Sequence, residues 1–189
     1  MPDAVIVSAS QKSAAYLKDM LMQASFEDIV VFCGAGEVRR FFIDNTCRVC
    51  LINAPLNDET GETLASEISS QGLAMAVLLT DAANFDEISA KVEDSGVMTI
   101  SKPVNKTLLW NTIKIAKAAS LRLDAMRDEN LKLTKRIEDI RIVDRAKYIL
   151  ITNMSMTEAQ AHRYIEKQAM DSRTTRRNVA ERILRTYEN

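Results

Sequence analysis

The sequence predicts an α/β domain with a five-stranded, doubly wound parallel sheet, then a long helix, then a small all-α tail of three helices. Three observations carry this expectation. Five short apolar runs alternate with amphipathic stretches through the first 118 residues. No Gly or Pro follows Pro103, so nothing forces a break in the helical pattern beyond it. Apolar and small residues recur at heptad spacing from Ala116 onward.

The apolar runs lie at 4–7, 29–32, 49–52, 75–79 and 97–100. Each is rich in β-branched or aliphatic residues and bounded by turn formers, as strands buried on both faces are. Helical patterns at 12–23, 35–43, 59–70 and 85–92 separate them. Strands alternating with helices imply right-handed crossovers. The expected domain is a flavodoxin-like (βα)5 unit over residues 1–118.

Its last helix begins near Asn105 and is expected to run on through 105–142. With Ala116 at heptad position a, Leu123, Asn130 and Ile137 follow at a, and Ala119, Met126, Leu133 and Ile140 at d. This is a coiled-coil pattern, and it argues for a homodimer. A lone Asn at an a position fixes register at some cost in stability. The flanking pairs argue less well, because Arg122 would face Arg127, and Arg136 would face Arg141. The other reading is one long helix packed along its own α/β domain.

The tail, residues 137–189, holds three short amphipathic helices. The first is continuous with the coil and runs to about Thr152, the second starts after Ser155 or Thr157 and ends near Met170, and the third spans 174–187. Ile149, Leu150, Ala161, Ile165, Ala169, Val179, Ala180, Ile183 and Leu184 are spaced to form one small core. The cations are Lys147, Arg163, Lys167, Arg173, Arg176, Arg177, Arg182 and Arg185. Arg173, Arg176 and Arg177 crowd the start of the third helix, where cations oppose the helix dipole. A phosphate backbone would offset that cost, and a solvated charged face is the plain alternative.

Composition narrows the classes. Residues 1–118 hold 10 Lys and Arg against 15 Asp and Glu, a net −5, while residues 119–189 hold 15 against 11, a net +4. A polyanion would therefore meet the C-terminal part. At 47% hydrophobic and 27% charged, the chain is globular. It has no apolar run long enough to span a membrane and no basic leader, so a cytoplasmic location is expected. Cys33, Cys47 and Cys50 read as reduced thiols, and the single histidine, His162, excludes His-rich metal chemistry. No metal site, no cofactor and no catalytic set is expected, so the chain does not read as an enzyme.

The first domain resembles the receiver domains of two-component response regulators. The match rests on Ser101-Lys102-Pro103 after the fifth strand and Thr80 at the end of the fourth. The resemblance implies that Thr80 and Lys102 stand where receivers contact a phosphoryl group. Counting back from Gly61 puts Asn53 at the place of the phospho-acceptor aspartate, and Ser8-Ala9-Ser10 follows strand one where two acids should hold Mg²⁺. An amide is a poor nucleophile, and Mg²⁺ wants anionic oxygen. A pseudo-receiver is expected, neither phosphorylated at Asn53 nor binding Mg²⁺ there. Asp58 is a weak substitute phosphosite and reads better as opening the following helix; Gly34-Ala35-Gly36 reads as a short turn rather than a phosphate loop.

The tail resembles the ANTAR family, RNA-binding transcription antiterminators. The residues that carry it are Ala146-Lys147, Met156-Thr157-Glu158, Ala169-Met170-Asp171-Ser172 and Val179-Ala180. The resemblance implies a dimer that binds tandem hairpins in nascent leader RNA and prevents a terminator from forming. Lys147, Lys167 and Arg173 match the family's basic positions; Arg163, Arg176 and Arg177 are added from charge. Tyr164 and Tyr187 offer faces for base stacking, with Tyr164 expected to be partly buried. Control could come from a regulatory protein that masks the dimer face of the pseudo-receiver, from a ligand, or from abundance alone. Two other readings stay open: a DNA-binding response-regulator-like transcription factor, and a signalling scaffold that binds no nucleic acid.

Overall fold

Alternate residues of the first strand face opposite layers, and that alternation organises the N-terminal unit. A computed structural model describes residues 2–187. Strands β1 (Ala4–Ser8), β2 (Ile29–Phe32), β3 (Val49–Asn53), β4 (Met75–Asp81) and β5 (Met98–Lys102) pair in parallel in the order β2-β1-β3-β4-β5. Val5 and Val7 face a core completed by α2 (Ala35–Asp44), α3 (Glu62–Ser70) and α4 (Phe85–Val92). Ala4 and Ile6 face the opposite core, filled by α1 (Gln11–Gln23) and the first turns of α5 (Lys106–Met154). This is the receiver-type doubly wound order.

Caps explain most helix starts. The Ser10 side chain accepts from the Ser13 N–H ahead of α1, and Asn105 Oδ1 accepts from the Leu108 N–H ahead of α5. Helix α3 starts at Glu62, three residues later than the sequence pattern suggested, because Gly61 stands at φ +93°, which ends the preceding loop. Asp58 does not open α3. Its carboxylate reaches back 22 residues and more, accepting from the Ala35 N–H at 2.8 Å and the Gly36 N–H at 2.9 Å. It therefore caps α2, whose own N-cap is Gly34 and offers no side chain. A Cβ at Gly34 would lie 2.9 Å from Asp58 Oδ2, so the Gly34-Ala35-Gly36 segment is the opening of a helix shaped around a carboxylate.

The chain divides into two compact units between Asp124 and Ala125, a boundary inside α5. In the first unit Leu109, Ile113 and Ala116 of α5 are fully buried in the core. Ala116, the first a position of the heptad pattern, therefore belongs to the α/β core and not to a coil. The packing of α5 along its own domain is real for these turns. Beyond them the seam is open: Leu123, Met126, Leu133, Ile137 and Ile140 are 43–57% exposed, and Asn130 is exposed among them.

In the second unit, α5 ends at Met154, where Ser155 takes φ 52°. Helix α6 (Glu158–Asp171) starts behind Thr157 in a reciprocal capping box with Gln160. Helix α7 (Arg176–Tyr187) starts behind Thr175, whose hydroxyl accepts from the Asn178 N–H. Ala146, Ile149, Leu150, Ala161, Ile165, Ala169, Val179, Ala180 and Ile183 form its core, with Leu184 packed at the edge. Ala146, which the apolar spacing leaves out of the core, is fully buried.

Candidate nucleic-acid interface

The receiver-like pocket carries an amide and a hydroxyl where a receiver carries acids. Asn53 donates from Nδ2 to Ser8 Oγ at 3.0 Å, and Ser8 Oγ donates in turn to the Ser10 carbonyl. Ser8 and Thr80 are buried. Lys102 hydrogen-bonds the Ala54 carbonyl and lies 3.7 Å from Asp81. Thr80, Lys102 and Asn53 thus sit at the C-terminal ends of adjacent strands. Hydroxyl, amide and ammonium groups make a poor cradle for a divalent cation. Among the described residues no cluster of His, Cys, Asp or Glu suits a metal ion.

The six tail cations named from sequence as candidate RNA contacts divide into two sets. Lys147 stands 2.8 Å from Asp144 and 3.0 Å from Glu158, tying α5 to α6, and its side chain is only 17% exposed. Those two carboxylates, Asp144 foremost, raise its pKa and hold it charged. Arg177 bonds Glu181 at 2.9 Å and Asp139 at 2.7 Å, joining α7 to α5 within this unit. Arg176 reaches Glu166 at 3.2 Å, an acid that also meets His162. Lys147, His162, Arg176 and Arg177 line one groove of about 510 Å³ together with Asp139 and Asp144. For Arg176 and Arg177 the cost of a cation at the start of α7 is therefore met by internal acids.

The second set is Arg163, Lys167 and Arg173. All three are exposed and have no ion pair among the described residues. Arg163 and Lys167 are one turn apart on the side of α6 away from Ala161, Ile165 and Ala169. Arg173 occupies φ 47° in the turn after α6, where the Arg173 N–H reaches the Met170 carbonyl and the Thr174 N–H the Ala169 carbonyl. Glycine is the low-cost residue at such a helix end, and an L side chain there costs about 1–2 kcal/mol. An arginine held in that conformation is a functional pointer.

Two tail features were not legible from charge alone. The Asp139–Arg177 bond spans 38 residues, so no local spacing announces it, although the Arg177–Glu181 and Asp144–Lys147 spacings are helical pairs. Arg182, which lines two grooves, had been counted only as one more cation.

Residues 131–184 match the family model described as the ANTAR domain. The chain is thus an ANTAR-domain protein, with a receiver-like α/β domain ahead of the three-helix unit. Two curated relatives, both "Transcriptional regulatory protein PdtaR", come from Mycobacterium tuberculosis strains CDC 1551 / Oshkosh and ATCC 25618 / H37Rv. Each is 36% identical over 127 residues, which covers 67% of this chain and 62% of the relative. The chain therefore spans less than two thirds of those relatives' length. Among solved structures, the response regulator receiver domain protein (CheY-like) from Methanospirillum hungatei JF-1 is similar at 20% identity and TM-score 0.56, over 65% of this chain and 98% of that one. The signal receiver domain of an HD domain-containing protein from Pseudomonas fluorescens Pf-5 is similar at 17% identity and TM-score 0.57, over 66% and 92%. These likenesses establish the receiver fold. Among the described residues no helix is long and apolar enough to cross a membrane.

Proposed function

We propose that the protein is an RNA-binding transcription antitermination regulator whose dimer grips tandem hairpins in nascent leader RNA and so prevents a terminator stem from forming. The observation that carries this reading is the set of exposed cations without internal partners, Arg163, Lys167 and Arg173, on α6 and the turn after it in a domain that matches ANTAR. They are the phosphate contacts. Lys147, Arg176 and Arg177 are committed to carboxylates and act first as struts that hold α5, α6 and α7 together. They reach RNA only by exchanging an internal partner.

The open seam of Leu123, Met126, Leu133, Ile137 and Ile140 supports a parallel two-stranded coil with Asn130 setting its register. A row of half-exposed aliphatic side chains on one helix is buried when a second copy covers it. Two weak RNA sites on one dimer gain by effective concentration, so each domain can bind loosely alone. Control enters through a protein that docks on the pseudo-receiver, since an amide, Asn53, stands at the phospho-acceptor position.

The test is a gel-shift titration of the full chain against a two-hairpin leader RNA, with a one-hairpin RNA and duplex DNA as competitors. Binding that prefers two hairpins and survives excess duplex DNA supports the reading. Displacement by duplex DNA would favour a DNA-binding transcription factor.

A further inference from the structure

The three-helix unit has a second, aromatic surface that the phosphate-contact reading does not use. Tyr164 of α6 and Tyr187 of α7 are 38% and 43% exposed and line the same groove, of about 270 Å³. Buried Leu150, Val179 and Ile183 also line it, with Met154, Gln168 and Arg182. The Tyr187 hydroxyl lies 3.6 Å from Met154 Sδ, which holds the ring against the end of α5. A second groove, of about 420 Å³, is polar, lined by Ser172, Thr174, Asn178, Glu181, Arg182 and Arg185, and its one acid, Glu181, is paired with Arg177 at 2.9 Å. Arg182 lines both, and its guanidinium has no ion pair among the described residues.

We propose that this pair of grooves is a site for one unpaired RNA nucleotide, with the base against Tyr164 and Tyr187 and its phosphate at Arg182 in the polar groove. The inference rests on the RNA-binding reading and extends it to base recognition. A nucleobase has an apolar face and a hydrogen-bonding edge, and the first groove offers two phenol rings, a thioether and the Gln168 amide for them. A phosphate is a multiple acceptor, and the second groove offers donors: a guanidinium, the Asn178 amide and the Ser172 and Thr174 hydroxyls. The joint between the two is a single arginine, which suits a ligand whose apolar and anionic parts are covalently joined. A base inside a duplex exposes neither face, so the site selects a loop or a splayed nucleotide. An apolar protein segment would fill the first groove and leave the cation and the polar groove unused.

The experiment uses the full chain and a two-hairpin RNA that the wild-type protein has selected from a pool with randomised loops. That RNA then carries 2-aminopurine at each loop position in turn. At one position, binding to wild type should quench the fluorescence, as stacking on a ring does, and Tyr164→Phe should preserve the quench. Tyr164→Leu and Tyr187→Leu should abolish it and weaken binding about tenfold, the scale of one base–aromatic stack. Arg182→Gln should reduce the slope of log affinity against log salt by about 0.7, one phosphate contact on a single strand. Circular dichroism reports whether the leucine variants fold; if either does not, the wild-type quench and Arg182→Gln decide. Full affinity in folded leucine variants, or an unchanged salt slope with no quench at any position, overturns the nucleotide site while leaving RNA binding intact. A pool from which wild type selects nothing overturns the RNA-binding reading, and this site with it.

Discussion

Asn53 and Ser8 close the receiver-like pocket with a neutral hydrogen bond, Nδ2 to Oγ at 3.0 Å, between the ends of paired strands β3 and β1. Nothing in that bond stores or releases charge. A small-molecule phosphodonor with Mg²⁺ should leave the protein's intact mass unchanged by mass spectrometry. Gain of one phosphoryl group mapped to residue 53 would show that the pocket retains receiver chemistry.

Stability and RNA affinity should separate among the tail cations. Arg173→Gly relieves the left-handed backbone at φ 47°, so thermal stability should hold or rise while RNA affinity falls. Arg163→Gln and Lys167→Gln should each flatten the salt dependence by about 0.7, with little change in Tm. Lys147→Gln should do the reverse, losing about 0.5–1 kcal/mol of stability with the Asp144 and Glu158 pairs and leaving the salt slope unchanged. A salt slope that moves only in Lys147→Gln would reassign the contact to the paired groove.

The exposed seam of α5 should be a dimer interface. Sedimentation should find a dimer for wild type and a monomer for Leu133→Arg combined with Ile137→Arg, two side chains that are 48% and 52% exposed in a single chain. Asn130→Leu should strengthen association and loosen its specificity, giving mixed assemblies. A monomeric wild-type protein at micromolar concentration would leave the seam without this role.

Much of this fold was legible because its signals are local. The β-branched runs, the helix start near Asn105 and the start of α6 behind Ser155 or Thr157 depend on residues a few positions apart. Ala116 was misplaced because a small residue at an a position suits a coil and a helix–sheet contact equally, and only the tertiary fold buries it. The six candidate RNA contacts could be named from the family resemblance and from charge, but not sorted. Arg177 looks as available as Lys167 until Asp139, distant in sequence, is brought to it.

Asp58 should give the fold a defined sensitivity to acid. Its carboxyl sits below the ordinary 3.8 because the Gly36 N–H, then the Ala35 N–H, bond its charged form. A depressed folded pKa adds stability that is fully present above about pH 4 and is lost as pH falls through the lowered value. The stability gap between wild type and Asp58→Asn should therefore be constant near neutrality and shrink under acid, read by denaturant melts across the range. A gap that widens on acidification would contradict the cap.

Of the three free thiols, only Cys33 is exposed. Burial pushes the Cys47 thiol up to about 12 and raises that of Cys50 as well. A thiol-specific reagent at about pH 8 should label one cysteine in the folded protein and three after denaturation, since the thiolate is the reactive form. Rapid labelling of all three would mean that the β3 core opens readily.

The Asp58 clamp has a kinetic consequence. The first amides of a helix ordinarily exchange with solvent fast, because no carbonyl within the helix accepts them. Here the Ala35 and Gly36 N–H groups are held by a side chain from the loop after β3. Their deuterium uptake therefore reports the motion of that loop and not fraying of α2. Whatever moves the loop, a docked protein included, unlocks both amides together, making them a native pair of sensors for events at the edge of the pseudo-receiver.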